Sequence, residues 1–156
     1  MSNLVERAFP AKSLMLGFRS IGYSFSTAVA DIMDNSISAE ATRIDIFSDP
    51  LAPVPYFCIL DNGHGMNKAK LDNAMLPGSN RDDVPDSELE LGRFGLGLKS
   101  ASLSQCREFI VASKAYGRIH CMSFDLDVIE ETNKLFLKEL NEAETNALPH
   151  IDDLKK

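Results

Sequence analysis

A glycine-rich entry to a predicted helix is the feature of this chain that most restricts its fold. Gly92, Gly95 and Gly97 precede a stretch whose apolar residues recur at helical spacing, over residues 97–105. The first turn of a helix offers unpaired N–H groups and a positive dipole end, so such an entry suits an anion such as a polyphosphate. Because Leu98 rather than glycine precedes Lys99, the segment is not a P-loop, and its spacing is not that of the dinucleotide fingerprint.

A second polar segment lies within a predicted helix over residues 24–38. Asp31, Asp34 and Asn35 interrupt its apolar pattern, although Asp and Asn are unfavourable in a helix interior. Asp31 and Asn35 are one turn apart on the same face, about 6 Å along the axis. An amide oxygen at Asn35 suits Mg²⁺, and a carboxylate at Asp31 is placed to activate water. The alternative is that these side chains form the solvated face of an amphipathic helix.

A third polar segment follows a predicted strand over residues 56–60. Asp61 stands at the end of this strand, where its carboxylate can accept a hydrogen bond from the exocyclic amine of adenine, whereas guanine has an oxygen at that position and would be repelled. Gly63 and Gly65 supply turn conformations that let the backbone approach the base, and Met66 packs against its ring. The alternative is an ordinary Asp-Asn-Gly turn between two strands.

The remaining pattern predicts an α+β fold. Its 156 residues, 44% of them apolar, suffice for one core. Further helices are predicted over 13–20 and 67–76, and further strands over 43–48, 108–114, 118–125 and 134–140. Helices on one face of a mixed, mostly antiparallel sheet would form a two-layer α/β sandwich. Between these elements, the acid-rich stretch 79–90 reads as a mobile loop.

Charge and hydropathy restrict the partners. The net charge of −7 argues against direct, non-specific nucleic-acid binding by this chain, because phosphate binding needs a basic surface. No secretory h-region opens the chain, and no apolar stretch approaches the roughly 20 residues of a membrane span. We therefore expect a cytoplasmic protein with no membrane partner.

In chain order, the three segments resemble the N-box, the DxGxG box and the glycine-rich lid box of the GHKL ATPases. This superfamily includes DNA gyrase, MutL, the ninety-kilodalton heat-shock chaperones, microrchidia proteins and histidine kinases. The glycine-rich segment resembles the chaperone and microrchidia versions most. The resemblance covers residues 24–104 and implies the Bergerat fold, with ATP and Mg²⁺ as ligands under a lid formed by residues 76–91. It implies a GHKL-type ATP-binding domain over 1–141, followed by a polar tail, or the start of a linker to a missing domain, over 142–156.

The resemblance also assigns roles to residues. Asp31 corresponds to the catalytic carboxylate, Asn35 to the magnesium ligand and Asp61 to the adenine-binding residue. The other nucleotide-contacting positions are Gly63, Gly65, Met66, Gly95, Leu96, Gly97, Leu98 and Lys99. For Lys99, a phosphate contact and a merely exposed lysine on the helix are both open.

The function implied is slow ATP hydrolysis to ADP, with ATP-driven lid closure and homodimerisation gating a larger machine. Hydrolytic members usually carry Glu where this chain has Asp31, which is shorter by roughly 1.5 Å, and a misplacement of about 1 Å can cost on the order of 10²-fold in rate. A C-terminal transducer or effector domain is also expected to be missing. The alternatives are a non-catalytic ATP-binding switch and, with less support, a histidine kinase catalytic domain.

Overall fold

The computed structural model describes residues 10–78 and 96–156. The helices are α1 (Ala11–Arg19), α2 (Phe25–Ser38), α3 (Lys68–Met75), α4 (Gly97–Gln105), α5 (Leu126–Thr132), α6 (Glu142–Asn146) and α7 (Ile151–Lys155). The strands are β1 (Ile44–Asp49), β2 (Tyr56–Asp61), β3 (Glu108–Ala115), β4 (Arg118–Asp125) and β5 (Leu137–Glu139). Helices α1 to α4 and all five strands confirm the predicted elements, with shifted ends for most of them. Gly92, Gly95 and most of the predicted lid lie outside the described residues.

Two antiparallel sheets form the strand layer, which confirms the α+β class. In the first, β1 pairs with β2 from Ile44 opposite Asp61 to Asp49 opposite Tyr56. In the second, the strand order is β3-β4-β5. The connections β1 to β2 and β3 to β4 are too short for a parallel crossover, so these neighbours pair antiparallel.

The hydrophobic core lies between helices α1, α3, α4 and α5 and one face of the β3-β4-β5 sheet. Phe124 of β4 is fully buried and stacks on Phe109 of β3, with ring centroids 5.3 Å apart. The other buried members come from α1, α3, α4, β4 and α5: Met15, Phe18, Leu71, Met75, Leu103, Met122, Leu126 and Ile129. Each such side chain stabilises the fold by about 1.5–3 kcal/mol through removal from water.

Helix α2 packs against both the β1-β2 hairpin and α4. Its N-cap residue is Ser24, whose hydroxyl accepts a hydrogen bond from the Thr27 N–H at 3.1 Å. Phe25, in its first turn, meets Phe57 of β2 edge to face at 5.0 Å. The same face of the hairpin carries Asp61, because side chains alternate along a strand. The hairpin therefore presents Asp61 towards α2.

Residues 142–156 form two short helices where the sequence predicted a polar tail. The first, α6, begins with a capping box in which the Asn141 side chain accepts from Glu144 N–H at 3.0 Å and the Glu144 carboxylate accepts from Asn141 N–H at 2.9 Å. In α7, Ile151 is only 5% exposed. Short helices with a single apolar contact give almost no periodic signal, which is why the sequence did not predict them. The predicted domain boundary at residue 141 stays a prediction.

None of the helices in the described ranges has both the length and the apolar character needed to cross a membrane.

Candidate functional site

The Asp61 carboxylate is held in place from two sides. Its Oδ2 accepts a hydrogen bond from Ser36 Oγ in α2 at 3.0 Å, and its Oδ1 accepts from Gly63 N–H at 2.9 Å. A carboxylate has about four lone-pair positions, so two donors leave capacity for an exocyclic amine. Ser36 was not predicted as a site residue. The only sequence signal for Ser36 is its position immediately after Asn35. Its contact with Asp61 arises only because α2 packs on β2.

Gly63 and Gly65 are required for close backbone packing, not for unusual dihedrals. Neither residue has a positive φ, so the predicted conformational reason is wrong. A Cβ on Gly63 would lie 2.6 Å from the Ala39 carbonyl oxygen at the end of α2, and one on Gly65 would overlap the Lys114 carbonyl of β3. The loop after β2 is thus pressed between α2 and β3. Contact of either glycine with a nucleotide stays a prediction.

Asp31 and Asn35 lie one turn apart on the half-buried part of α2, as the spacing predicts. Asn35 Nδ2 donates to the Asp31 backbone carbonyl at 3.0 Å, which fixes the orientation of the amide. With the nitrogen turned to the backbone, the amide oxygen is the end left for a cation. Side-chain oxygen is the ligand chemistry that Mg²⁺ prefers, so the residue fits the metal that the family resemblance implies.

Helix α4 begins without a side-chain cap. Its N-cap residue is Leu96, whose side chain makes no capping hydrogen bond. A Cβ added at Gly97 would meet no atom within 4 Å, so the space before this helix end is open towards the described residues. An uncapped N-terminus with open space is the arrangement that an anion can use. Leu98 is half-buried, and Leu96 packs against the hydrophobic core.

Lys99 is buried, which excludes the alternative of an exposed lysine. Its side chain is 2% exposed, and Nζ donates to the Ala74 carbonyl of α3 at 2.7 Å. A cation at the last turn of a helix is favoured by the helix dipole. In the structure Lys99 therefore joins α4 to α3, and its contact with a phosphate stays a prediction.

Met66 makes its contacts with the core and with β3. Its side chain packs against the hydrophobic core, and its N–H donates to Ser113 Oγ of β3 at 2.7 Å. This contact continues the packing of the β2 exit on β3 that Gly65 begins. A contact between Met66 and an adenine ring stays a prediction.

Tyr23 is a second residue that the sequence did not indicate. It lies in the loop before α2, and its main-chain carbonyl accepts a hydrogen bond from Gln105 Nε2 of α4 at 3.1 Å. The hydrogen bond to Asp31 and, after it, burial raise the pKa of Tyr23 above its ordinary value. No periodicity marks Tyr23, because it lies in the loop before α2.

These contacts bring the three polar segments together around α2. The first segment lies on this helix, the second is bound to it through Ser36, and the third begins α4, which packs against α2. A family model described as "Histidine kinase-, DNA gyrase B-, and HSP90-like ATPase" matches residues 23–156. The chain belongs to this ATPase family. Nucleotide binding of the ATPase type is the function that membership supports.

Curated relatives of this ATPase-family chain carry related names. ATPase MORC2B of Mus musculus is 34% identical over 107 residues, which is 67% of the chain and 10% of that protein. ATPase MORC2 of Homo sapiens is 31% identical over 107 residues, again 67% of the chain and 10% of that protein. The chain thus spans about a tenth of the length of these relatives. The similarity confirms the predicted GHKL and microrchidia resemblance.

In this member of the ATPase family, the predicted site residues fall into two groups. Asp31, Asn35 and Asp61 lie on or against α2, the helix that packs against α4. Lys99 and Met66 instead hold elements together, through α3 and β3 respectively. The described structure therefore places the candidate general base, the candidate magnesium ligand and the candidate adenine-binding residue on or against α2.

Proposed function

We propose that this ATPase-family domain binds ATP with Mg²⁺ and hydrolyses the ATP slowly. The observation that carries the proposal is the Asp61 carboxylate, fixed by Ser36 and Gly63 at 3.0 and 2.9 Å against the helix that carries Asp31 and Asn35. A fixed acceptor suits the exocyclic amine of adenine, and leaving it unpaired would cost about 1–3 kcal/mol or more, which favours adenine over guanine.

The reaction uses Asp31 as the general base. The water oxygen bonds to the γ-phosphorus while the bond from that phosphorus to the β,γ-bridging oxygen breaks, and ADP leaves with the electron pair. The proton of the water passes to the Asp31 carboxylate and then to solvent. Asn35 would hold magnesium, which neutralises phosphate charge when it is bound. The N–H groups at the start of α4 would bind phosphate oxygens.

The proposal extends to conformational coupling. ATP closes the lid over residues 76–91 and favours association of two copies of the chain, and an effector or transducer domain responds to that state. ATP and ADP are the small-molecule partners, and the net charge of −7 weighs against nucleic-acid phosphates. We also propose a cytoplasmic location. Sedimentation of the protein with and without a non-hydrolysable ATP analogue tests the association, because unchanged mass would contradict it.

A non-catalytic ATP switch is the second candidate. It is favoured by the short side chain of Asp31, which stands where hydrolytic family members usually carry glutamate. In this case ATP orders the domain without being cleaved. The measurable difference is turnover with Mg²⁺ above the uncatalysed rate.

The deciding experiment compares ATP affinity and turnover in wild type, Asp31→Asn and Asp61→Asn, with Asp45→Asn of β1 as the control, a half-buried aspartate that pairs with Arg43 instead. We expect Asp61→Asn to abolish binding. Asp31→Asn should keep ATP affinity and lower kcat by about 10²-fold or more, since general-base catalysis contributes 10²–10⁴-fold. Asp45→Asn should behave as wild type. Binding without turnover in wild type supports the switch, and absence of ATP binding contradicts both candidates.

A further inference from the structure

A buried hydroxyl joins helix α2 to strand β2. Ser36 is only 4% exposed, and its Oγ donates to Asp61 Oδ2 at 3.0 Å. A buried hydroxyl needs a hydrogen-bond partner, because it has lost its contacts with water. The Asp61 carboxylate is that partner, so burial of the serine holds the two side chains together.

The main chain of Ser36 is fixed by the way in which α2 ends. Its carbonyl accepts from Ala41 N–H at 3.0 Å, and the Ile37 carbonyl accepts from Glu40 N–H at 2.9 Å. Glu40 has a φ of 60°, so these two hydrogen bonds form a Schellman motif. Unwinding the last turn of α2 would break both bonds, and Ser36 therefore presents its hydroxyl from a fixed backbone.

The loop after Asp61 is attached to the same helix end. His64 N–H donates to the Ala39 carbonyl at 2.8 Å. A Cβ on Gly63 would lie 2.6 Å from that carbonyl oxygen, so the loop already touches the helix at this point. The distance between the serine hydroxyl and the carboxylate is thus set by contacts on both sides of it.

The Asp61 carboxylate receives one donor on each oxygen, from different parts of the chain. Gly63 N–H binds Oδ1 at 2.9 Å from the aspartate's own loop, and Ser36 binds Oδ2 from α2. With the loop donor alone, the carboxylate could turn about χ2, whose potential is broad for aspartate. The donor from α2 restricts this rotation, so the remaining lone pairs point in a defined direction.

We propose that Ser36 is a positioning residue for adenine recognition, which holds the Asp61 carboxylate in the orientation that accepts the exocyclic amine. The inference rests on the proposed function and extends it from the acceptor to the residue that orients the acceptor. The hydroxyl acts through Asp61 and not on the base itself. Its contribution is therefore confined to ligands that carry the amine, because only these use the oriented lone pair.

The first test measures the dissociation constants of ATP and of purine riboside triphosphate, which keeps the ring, sugar and phosphates but lacks the amine. Isothermal titration calorimetry with Mg²⁺ compares wild type and Ser36→Ala. We expect Ser36→Ala to weaken ATP binding about tenfold and binding of the amine-free analogue less than about twofold. Alanine has the highest helix propensity, so the substitution does not weaken α2 itself.

Ser38→Ala is the matched control, because Ser38 lies near the end of the same helix and is exposed. It should keep wild-type affinity for both ligands. A purely structural role of Ser36 would weaken both ligands by the same factor, so an equal loss overturns the inference, as does unchanged ATP affinity in Ser36→Ala. Equal binding of both ligands by wild type rejects the adenine contact of Asp61 and this inference with it. Absence of ATP binding by wild type rejects the proposed function.

The second test needs no nucleotide and examines the contact itself. The side-chain carboxyl carbon of Asp61, assigned with Asp61→Asn, should shift in the NMR spectrum of Ser36→Ala but not in that of Ser38→Ala, because only the first variant removes a donor to this carboxylate. An unchanged signal in Ser36→Ala contradicts the hydrogen bond, even in a protein that binds ATP. A shifted signal in a protein that does not bind ATP keeps the contact and rejects its role in adenine recognition.

Discussion

At single residues, the site depends on contacts that tolerate little extra volume. Gly65 is the clearest case, because its α-carbon faces the Lys114 backbone so closely that a methyl group has no room. Backbone cannot rotate away as a flexible side chain can, so the loop after β2 would have to move away from β3. That loop also carries the Gly63 N–H that holds Asp61. One methyl group at Gly65 would thus disturb both packing and the proposed adenine acceptor.

We therefore predict that Gly65→Ala lowers the free energy of unfolding by about 1–3 kcal/mol, the usual cost of overpacking. Gly17→Ala is the control, because Gly17 lies within α1 and a Cβ there meets nothing within 4 Å. It should stabilise the protein by about 0.5–1 kcal/mol through helix propensity. Urea unfolding without nucleotide measures both changes. An unchanged midpoint in Gly65→Ala would contradict the close approach.

Among the elements, the helices differ in how their first turns are satisfied. Side chains cap four of them, through Ser24, Asn67, Asp125 and Asn141. The N-cap residues of α1, α4 and α7 make no side-chain capping hydrogen bond. At α4, a ligand phosphate would supply the acceptor that Leu96 cannot provide.

For the capped helix α6, the Glu144 carboxylate should titrate below its ordinary pKa of 4.5. The hydrogen bond to Lys138 lowers this pKa most, followed by the Asn141 N–H. Because the folded-state pKa is lowered, the stabilisation is present at neutral pH and is lost as the pH falls through that pKa. We expect Lys138→Ala to raise the pKa of Glu144, as followed by NMR titration of its side-chain carboxyl.

Lys134→Ala is the matched control for this titration, because Lys134 makes no ion pair within the described part of the chain. It should leave the pKa of Glu144 unchanged. The assignment of the shift to Lys138 would be wrong if both lysine variants moved the pKa equally.

Across the whole molecule, the C-terminal residues tie the two sheets together. The His150 ring stacks on Phe47 of β1 at 3.8 Å, and its Nε2 is 3.1 Å from the Tyr56 hydroxyl of β2. The following helix reaches the other sheet, where Lys114 Nζ of β3 donates to the Lys155 carbonyl at 2.6 Å. Residues 150–155 therefore contribute to the arrangement of the hairpin that presents Asp61.

If these contacts are part of the folded unit, Ile151→Ala should destabilise the whole protein by about 2 kcal/mol or more, as expected for emptying a buried isoleucine site. Ile37→Ala is the control, since Ile37 is 62% exposed and such sites change stability by less than about 0.5 kcal/mol. Thermal unfolding reports both variants. A wild-type unfolding temperature for Ile151→Ala would mean that α7 adds nothing to the fold.

The pattern of residues along the chain was sufficient to predict helices α1 to α4, the five strands and the three polar segments. Helices α1 to α4 and the five strands follow from apolar spacing and turn residues, which act between neighbours in the chain. The pairing of Asp31 with Asn35 on one face is equally local, since a helix sets it. For the same reason Asp61 was predicted at a strand end without knowledge of the fold.

The remaining features depend on residues that are far apart in the chain. Ser36 meets Asp61 across 25 positions, and Gly65 meets Lys114 of a strand in the other sheet. Lys99 has the same sequence signal whether it faces a phosphate, solvent or Ala74, because only packing determines which group its ammonium meets. The sequence carries the period of each element, but distances between side chains of different elements arise only when those elements pack, and these distances decide which polar groups share a site.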